Sequence, residues 1–304
     1  MVEVSIIIVN YNTSQLVHNC IESINKNTKG VTYEIIVVDN NSINDRELEA
    51  LKTLDRVTYI QSLQNLGFGK ANNLGVKNAV GKYLLFLNPD TLFLNNVLHE
   101  MISFMEDKNS AGMCGANIFD GEGNPHHSYR MINSLYLCEL DYFLRCIISK
   151  LVWGKNCEFN YTSCIRRVSF ITGADIFIRR SLFQKLNGFD PDFFMYDEDR
   201  DLCQRVMESG YSLYNLPSAK IMHLEGKSFK ISEARVERQL AGRFIYLKKH
   251  YSSAGSFCVN LQYLFFNSLA LILYKITCNS KRYKEFSMRL KLFIKVYKNG
   301  TQKV

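Results

Sequence analysis

The 304-residue sequence predicts an α/β protein: an open, mostly parallel sheet flanked by helices, continued by a C-terminal helical extension. Three observations carry this reading. The strand-like runs "VSIIIVN", "YEIIVVDNNS" and "KYLLFLNPD" are continuously apolar, as strands buried on both faces are. Segments of helical periodicity fall between them. With 47% hydrophobic and 22% charged residues the chain can bury a large core, which excludes a disordered protein.

Along the chain, "VSIIIVN" leads into "SQLVHNCIESINKN", whose Leu16, Val17, Cys20, Ile21 and Ile24 recur at helical spacing. "YEIIVVDNNS" precedes the helix "DRELEALKTL", and "VTYIQS" with "KANNLGVKNAV" repeats the unit before "KYLLFLNPD". Between Gly112 and Arg180 the pattern loosens into the turn signals of "FDGEGNPHHSYR" and an aromatic-rich helical insertion, "SLYLCELDYFLRCIISKLVW". A strand from Ala174 to Ile178 follows, then a short helix from Ser181 stopped by Gly188, and an acidic loop. A helix bearing Leu202, Cys203 and Val206 ends at Gly210, and "YSLYNLP" reads as a strand.

The last portion differs. "SFCVNLQYLFFNSLALILYKITC" is strongly apolar, but Asn260, Gln262 and Asn267 interrupt it, and Ser256, Asn260 and Asn267 fall on one polar stripe of a helical wheel. A spanning helix needs roughly 20 apolar residues in a row. The expectation is therefore a helix lying at a bilayer interface, followed by a basic amphipathic segment; a core helix of a C-terminal bundle is the alternative.

The net charge of +8 gathers in the tail, where Lys281, Arg282, Lys284, Arg289, Lys291, Lys295, Lys298 and Lys303 face one acid, Glu285. With the basic residues so confined and no binding module in the sequence, no nucleic-acid partner is expected. Nine cysteines, odd in number and without a CxxC pair, argue for reduced thiols in a cytosolic compartment over a zinc site or disulfide framework. The start "MVEVSIIIVNYN" has no basic n-region, so no signal peptide is expected.

Three apolar runs end in polar groups: Asn10-Tyr11-Asn12, Asp39-Asn40-Asn41-Ser42 and Asn88-Pro89-Asp90. In open α/β sheets the carboxyl ends of strands are where ligands bind. A carboxylate just past a buried strand costs free energy unless it is solvated, paired or bound to a cation. Asp90 could thus anchor a hard divalent ion together with phosphate oxygens, or serve as a turn residue capping the helix that starts near Asn95. "LGFGKANNLG" fails as a dinucleotide fingerprint because Asn72 stands at the third glycine position, yet it brings Lys70 and helix-start amides toward the sheet edge. In "MYDEDRDLCQR", Asp197, Glu198, Asp199 and Asp201 crowd a helix start, and crowding raises a carboxyl pKa toward the range of a general base. His223 follows a strand-like run beside Gly226-Lys227-Ser228, a loop able to reach phosphates.

The ordered set "VSIIIVNYN", "IIVVDNNS", "NLGFGKANNLG", "YLLFLNPDT", "ITGADIFIRR", "FDPDFFMYDEDRDLCQR" and "MHLEGKS" resembles the family-2 glycosyltransferases of the GT-A fold, in their bacterial rhamnosyltransferase-like branch. The resemblance covers roughly Val4 to Ser228. It implies an inverting hexosyl transfer from a nucleoside-diphosphate sugar, dTDP-rhamnose being one candidate, to a glycan acceptor on a polyprenyl diphosphate, in cell-surface polysaccharide synthesis. By that resemblance Val9 and Tyr11 contact the nucleotide, Asp39 hydrogen-bonds the base, and Lys70 is a donor-binding cation. Asn88-Pro89-Asp90 corresponds to the DxD motif, with Asp90 a ligand for Mg2+ or Mn2+ and Asn88 replacing a carboxylate. Asp199, second of the Glu198-Asp199 pair, matches the catalytic base, and His223 a histidine near the diphosphate or metal. The implied organisation is a GT-A domain over 1–230, with a nucleotide-sugar half to 115 and an acceptor and base half from 116. A basic, membrane-associating helical extension over 231–304 would hold the enzyme on the cytoplasmic face of the inner membrane. Two other readings stand beside it. A sugar-nucleotide nucleotidyltransferase would carry a glycine- and basic-rich loop after the first strand, where "NYNTSQ" has none. A non-catalytic nucleotide-sugar or glycan-binding protein would have no need of both Asp90 and Asp199.

Overall fold

The structure, a computed structural model, describes residues 2–43, 46–54, 56–144, 147–224 and 232–299. Strands β1 (Val4–Asn10), β2 (Tyr33–Asp39), β3 (Val57–Gln61) and β4 (Tyr83–Leu87) lie parallel in the order β3-β2-β1-β4. Helices α1 (Ser14–Asn27), α2 (Arg46–Lys52) and α3 (Phe68–Val76) make the crossovers. The register sets Asn10 beside Asp39 and Asp39 beside Gln61, so their polar ends share one edge.

Past β4 the sheet becomes mixed. After β5 (Thr91–Phe93), α4 (Val97–Asp107) and β6 (Ala111–Phe119) come four short strands: β7 (Pro125–His126), β8 (Tyr129–Arg130), β9 (Arg166–Val168) and β10 (Phe170–Ile171). β11 (Asp175–Arg179) inserts antiparallel between β4 and β6, while β12 (Ser212–His223) runs parallel to β6 and antiparallel to β5. A strand buried on both faces reads as an apolar run in either direction, so the sequence pattern could not show this reversal. The run "YSLYNLP" extends to His223, and its register shifts between Leu216 and Lys220, an irregularity that accommodates Pro217.

Alternate residues of each central strand feed two cores. Ile6, Ile8, Val37 and Leu85 join one, and Ile7, Ile36, Leu84 and Phe86 the other, as the period of two requires. Phe86 packs against Phe183 and Phe189 with centroids 4.9 and 4.8 Å apart. These rings fasten α7 (Arg180–Lys185), which follows the insertion helices α5 (Leu135–Phe143) and α6 (Ile147–Trp153), to the strand that ends at the Asn88 turn.

After α8 (Glu198–Glu208), three helices complete the chain: α9 (Glu233–His250), α10 (Ser253–Ile276) and α11 (Ser280–Asn299). α9 is buried twice. Tyr246 and Leu247 pack with Leu135, Phe193 and Val259, while Val236, Leu240 and Ala241 pack with Tyr263, Leu292, Phe293 and Val296. α10 is turned inside out for a helix in water: Val259, Tyr263, Asn267 and Ala270 are buried, while Phe257, Leu261, Phe265, Ile272, Leu273 and Ile276 are exposed. The expected polar stripe is therefore not its solvent face. Asn267 turns inward, and its amide donates to the Tyr263 carbonyl at 2.7 Å. Among the described residues, α10 is the one helix long and apolar enough to cross a bilayer.

Phe86→Ala should cost about 3–5 kcal/mol of stability, because the ring is wholly buried between two aromatic partners and its loss leaves a cavity. Urea unfolding followed by circular dichroism measures it; a cost below about 1 kcal/mol would mean the site collapses freely.

Candidate active site

A cavity of about 730 Å³ opens at the carboxyl edge of the sheet, lined there by Asn88, Asp90, His223, Gly173 and Asp199. Antiparallel pairing places His223 opposite Thr91, which brings the imidazole Nε2 to 3.1 Å from Asp90 Oδ1. The backbone braces the same place, with the Asp90 carbonyl accepting from Leu224 N at 2.8 Å. Asp90 does not cap α4: the flanking Asn96 makes no side-chain cap, and Asn95 is spent on the Ser218 carbonyl and Lys220 amide of β12. Asp90 and His223 present an oxygen and a nitrogen donor to the cavity, a pair that fits a Mg2+ or Mn2+ ion completing its shell with phosphate oxygens and water. No group of three or more ligating side chains exists among the described residues. Gly226-Lys227-Ser228 lies outside the described residues.

From Asp90 the framework leads to the acidic loop. Asn88 N donates to the Ala174 carbonyl at 3.0 Å, and the adjacent Gly173 N donates to Asp199 Oδ2 at 3.0 Å. Asp199 Oδ1 accepts from Arg200 N at 2.8 Å. Burial and the neighbouring charge of Asp197 push the Asp199 carboxyl up to about 6. Glu198 is 5% exposed, its Oε2 has no hydrogen-bond partner among the described residues, and burial with the charge of Asp199 drives its pKa well above the carboxylate range. Burial and mutual repulsion thus push both carboxyls of the pair toward their neutral forms. Asp197 is paired with Arg200 at 3.1 Å. Burial opposes the charge of Asp201, but His250 at 2.8 Å and Arg205 at 2.6 Å hold it below the usual range.

The loop backbone is strained. Tyr196 and Asp197 have φ of 74° and 64°, a left-handed conformation that costs an L-residue roughly 1–2 kcal/mol each. Helix α9 sits directly on this turn: a Cβ on Gly242 would lie 2.4 Å from the Tyr196 carbonyl oxygen. Two more α9 residues hold the start of α8, with Tyr246 stacked 5.8 Å from the Arg200 guanidinium and His250 bound to Asp201.

The other sequence-selected residues lie outside the cavity lining. Val9, Tyr11 and Asp39 stand at the ends of β1 and β2. Tyr11 is exposed, and the buried Asp39 carboxylate accepts from Asn10 Nδ2, Gln61 Nε2 and Ser42 N at 2.9, 2.6 and 3.1 Å. A carboxylate has about four acceptor positions, so one remains. Lys70 is exposed on α3. The glycine ahead of it serves packing: Gly67 has φ of 79°, and a Cβ there would lie 1.9 Å from the Phe194 carbonyl oxygen.

Sequence reasoning missed the far wall, where α9–α11 contribute Arg235, Gln239, Arg243, Tyr263 and Arg289. The signal available was only the basic composition of the tail; nothing in spacing ties three separate helices to one cavity.

Residues 5–186 match the glycosyl transferase family 2 domain, and 155–227 match a domain described as the N-terminal domain of galactosyltransferase. Rhamnosyltransferase WbbL of Escherichia coli K12 is 30% identical over 233 residues, covering 72% of this chain and 83% of the relative. The N-acetylglucosaminyl-diphospho-decaprenol L-rhamnosyltransferase of Mycobacterium tuberculosis is 25% identical over 206 residues, 64% of this chain and 67% of the relative. A crystal structure of GalNAc-T7 with UDP, GalNAc and Mn2+ superposes with a TM-score of 0.59 at 14% identity, covering 81% of this chain and 48% of that one, which extends the likeness to the fold. Strand order, cavity and matched domain agree: the chain belongs to glycosyl transferase family 2 and is a glycosyltransferase of GT-A fold.

Proposed function

We propose that the protein is an inverting transferase that passes a sugar from a nucleoside diphosphate, dTDP-rhamnose being the first donor to try, to a glycan acceptor on a polyprenyl diphosphate at the cytoplasmic membrane surface. The observation that carries this reading is the hydrogen-bonded path from the Asp199 carboxylate through Gly173, Ala174 and Asn88 to the Asp90–His223 pair. The names of the relatives support rhamnose as the sugar and a diphosphate-linked lipid as the acceptor.

In this mechanism Asp199 takes the proton of the acceptor hydroxyl as its oxygen attacks the anomeric carbon, and the Gly173 and Arg200 amides hold the carboxylate in position. Burial and the charge of Asp199 push Glu198 toward its neutral form, which limits the charge beside the base. A Mg2+ or Mn2+ held by Asp90 and His223 would supply neutralisation of the departing nucleoside diphosphate. His223 fills the protein-ligand place that Asn88, lacking a carboxylate, leaves open. Val9, Tyr11 and Asp39 stay nucleotide contacts on the family resemblance, a reading supported by the exposure of Tyr11 and the one open acceptor position of Asp39. Lys70 stays a donor contact on the family resemblance alone. The division of the chain at 230 belongs to the same proposal, with α9 serving both sides of it.

The outward face of α10 supports membrane association. Its phenylalanine, leucine and isoleucine side chains are exposed, and the helix that follows it is rich in lysine and arginine, the combination that interfacial segments have.

Three outcomes test the proposal. Asp199→Asn should lower sugar transfer by about 10²–10⁴-fold, and wild-type kcat/KM should rise with pH through about 6. An acid whose folded pKa is raised binds its proton more tightly folded than unfolded, so its ionisation lowers stability as pH rises from the ordinary carboxylate range through about 6. Asp199→Asn should therefore melt no lower than wild type at pH 8, and undiminished transfer would remove Asp199 from the role of base. Release of nucleoside diphosphate from a panel of sugar nucleotides should need Mg2+ or Mn2+ and stop with EDTA; full activity in EDTA, or in Asp90→Asn, would sink the metal role. Replacing Phe257, Leu261 and Phe265 together by serine, which spares the inward packing of α10, should move the protein from the membrane to the soluble fraction; unchanged fractionation would count against an interfacial helix.

A further inference from the structure

The wall that the C-terminal helices give the cavity carries arginines that transfer to a neutral sugar hydroxyl does not use. Helices α9 and α11 place Arg235, Arg243 and Arg289 in its wall, while helices α5, α9, α10 and α11 add one lining carboxylate, Glu139. Arg243 is 5% exposed. It pairs with Glu139, donates to the Val259 carbonyl at 3.1 Å and stands 4.8 Å from the centre of the Tyr263 ring, yet its Nε has no hydrogen-bond partner among the described residues. Arg289 lies 3.2 Å from Glu285, a carboxylate shared with Arg282. Arg235 stands 6.0 Å from the Tyr196 ring, at the strained turn before Asp199. A buried guanidinium with an unmet donor, as Arg243 has at Nε, is costly unless an acceptor meets it.

We propose that Arg235, Arg243 and Arg289 form a second anion subsite, separate from Asp90–His223, that binds the diphosphate of the acceptor. The forked donors of arginine suit phosphate oxygens, and three of them match a group of two to three negative charges. α10 links this subsite to the lipid phase. Tyr263 on its inner face meets Arg243, while Phe257, Leu261 and Phe265 on its outer face are exposed for a bilayer. The acceptor is then fixed by its diphosphate, and its sugar reaches toward Asp199. This inference rests on the lipid-linked acceptor of the proposed function.

The test uses the full chain with Mg2+ and saturating dTDP, so that the donor side is filled, and titrates geranyl diphosphate by calorimetry. Wild type should bind it, and Arg289→Gln and Arg235→Gln should each weaken binding by about tenfold. Arg289→Lys, which keeps the charge but loses the fork, should lose less. If Arg289→Gln does not fold, as a melting curve would show, Arg289→Lys and Arg235→Gln carry the test. No binding by wild type, or wild-type affinity in the variants, overturns the subsite. Sedimentation with phosphatidylglycerol vesicles separates the sources of phosphate: an equal loss of vesicle binding would assign the arginines to bulk headgroups and overturn the acceptor role. Failure of the donor reading is distinct, appearing as no nucleoside diphosphate release from any sugar nucleotide.

Discussion

Four carboxylates within five residues cannot all stay ionised in a partly dry cleft, and the way the fold disposes of them fixes much of the rest. Asp197 is given to Arg200, and Asp201 to Arg205 and His250. Glu198 is buried, one of its oxygens lacks a partner among the described residues, and its pKa is driven up. Asp199 lines the cavity beside Asp197 and Glu198, and its carboxyl is pushed up to about 6. Remove Arg200, Arg205 or His250 and a carboxylate beside Asp199 loses a partner. On the proposed role of Asp199 as base, the two guanidiniums and the imidazole support it as positioning groups.

This arrangement makes α9 part of the site. The helix follows the described GT-A strands in sequence and would be easy to treat as the beginning of a tail. It carries His250 against Asp201, Tyr246 against Arg200 and Gly242 against the Tyr196 carbonyl. Lys249 adds ion pairs to Asp190 and Asp192, 2.8 and 2.7 Å away, on the approach to the same loop. The strained turn persists because its surroundings over-determine it.

Much of this was legible in the sequence where chemistry is local. Continuous apolar runs gave β1, β2 and β4, and the polar residues at their ends led to Asp39 and Asp90. The acidic cluster marked the segment, and the family resemblance chose Asp199 within it. What escaped was set by contacts between distant segments. The direction of β11 leaves no trace in a strand buried on both faces. The Asp90–His223 contact depends on β5 pairing with β12 across a register shift at Pro217, which spacing cannot reveal. Asn267 looked like part of a solvent stripe because helical periodicity reports which residues share a face, while the neighbours decide which face is wet. Arg243 and Arg289 come from two helices with no common motif.

The contact at Gly242 has a meaning for how such enzymes diverge. It sets a bare Cα against a backbone carbonyl, so it fixes the distance between α9 and the base loop without using any side chain for recognition. Side chains along the cavity faces of α9, α10 and α11 are then free to change while the loop keeps its shape. On the proposed acceptor role of these helices, a lineage could explore new acceptors by altering their arginines and aromatics, provided that this one position never gains a methyl group.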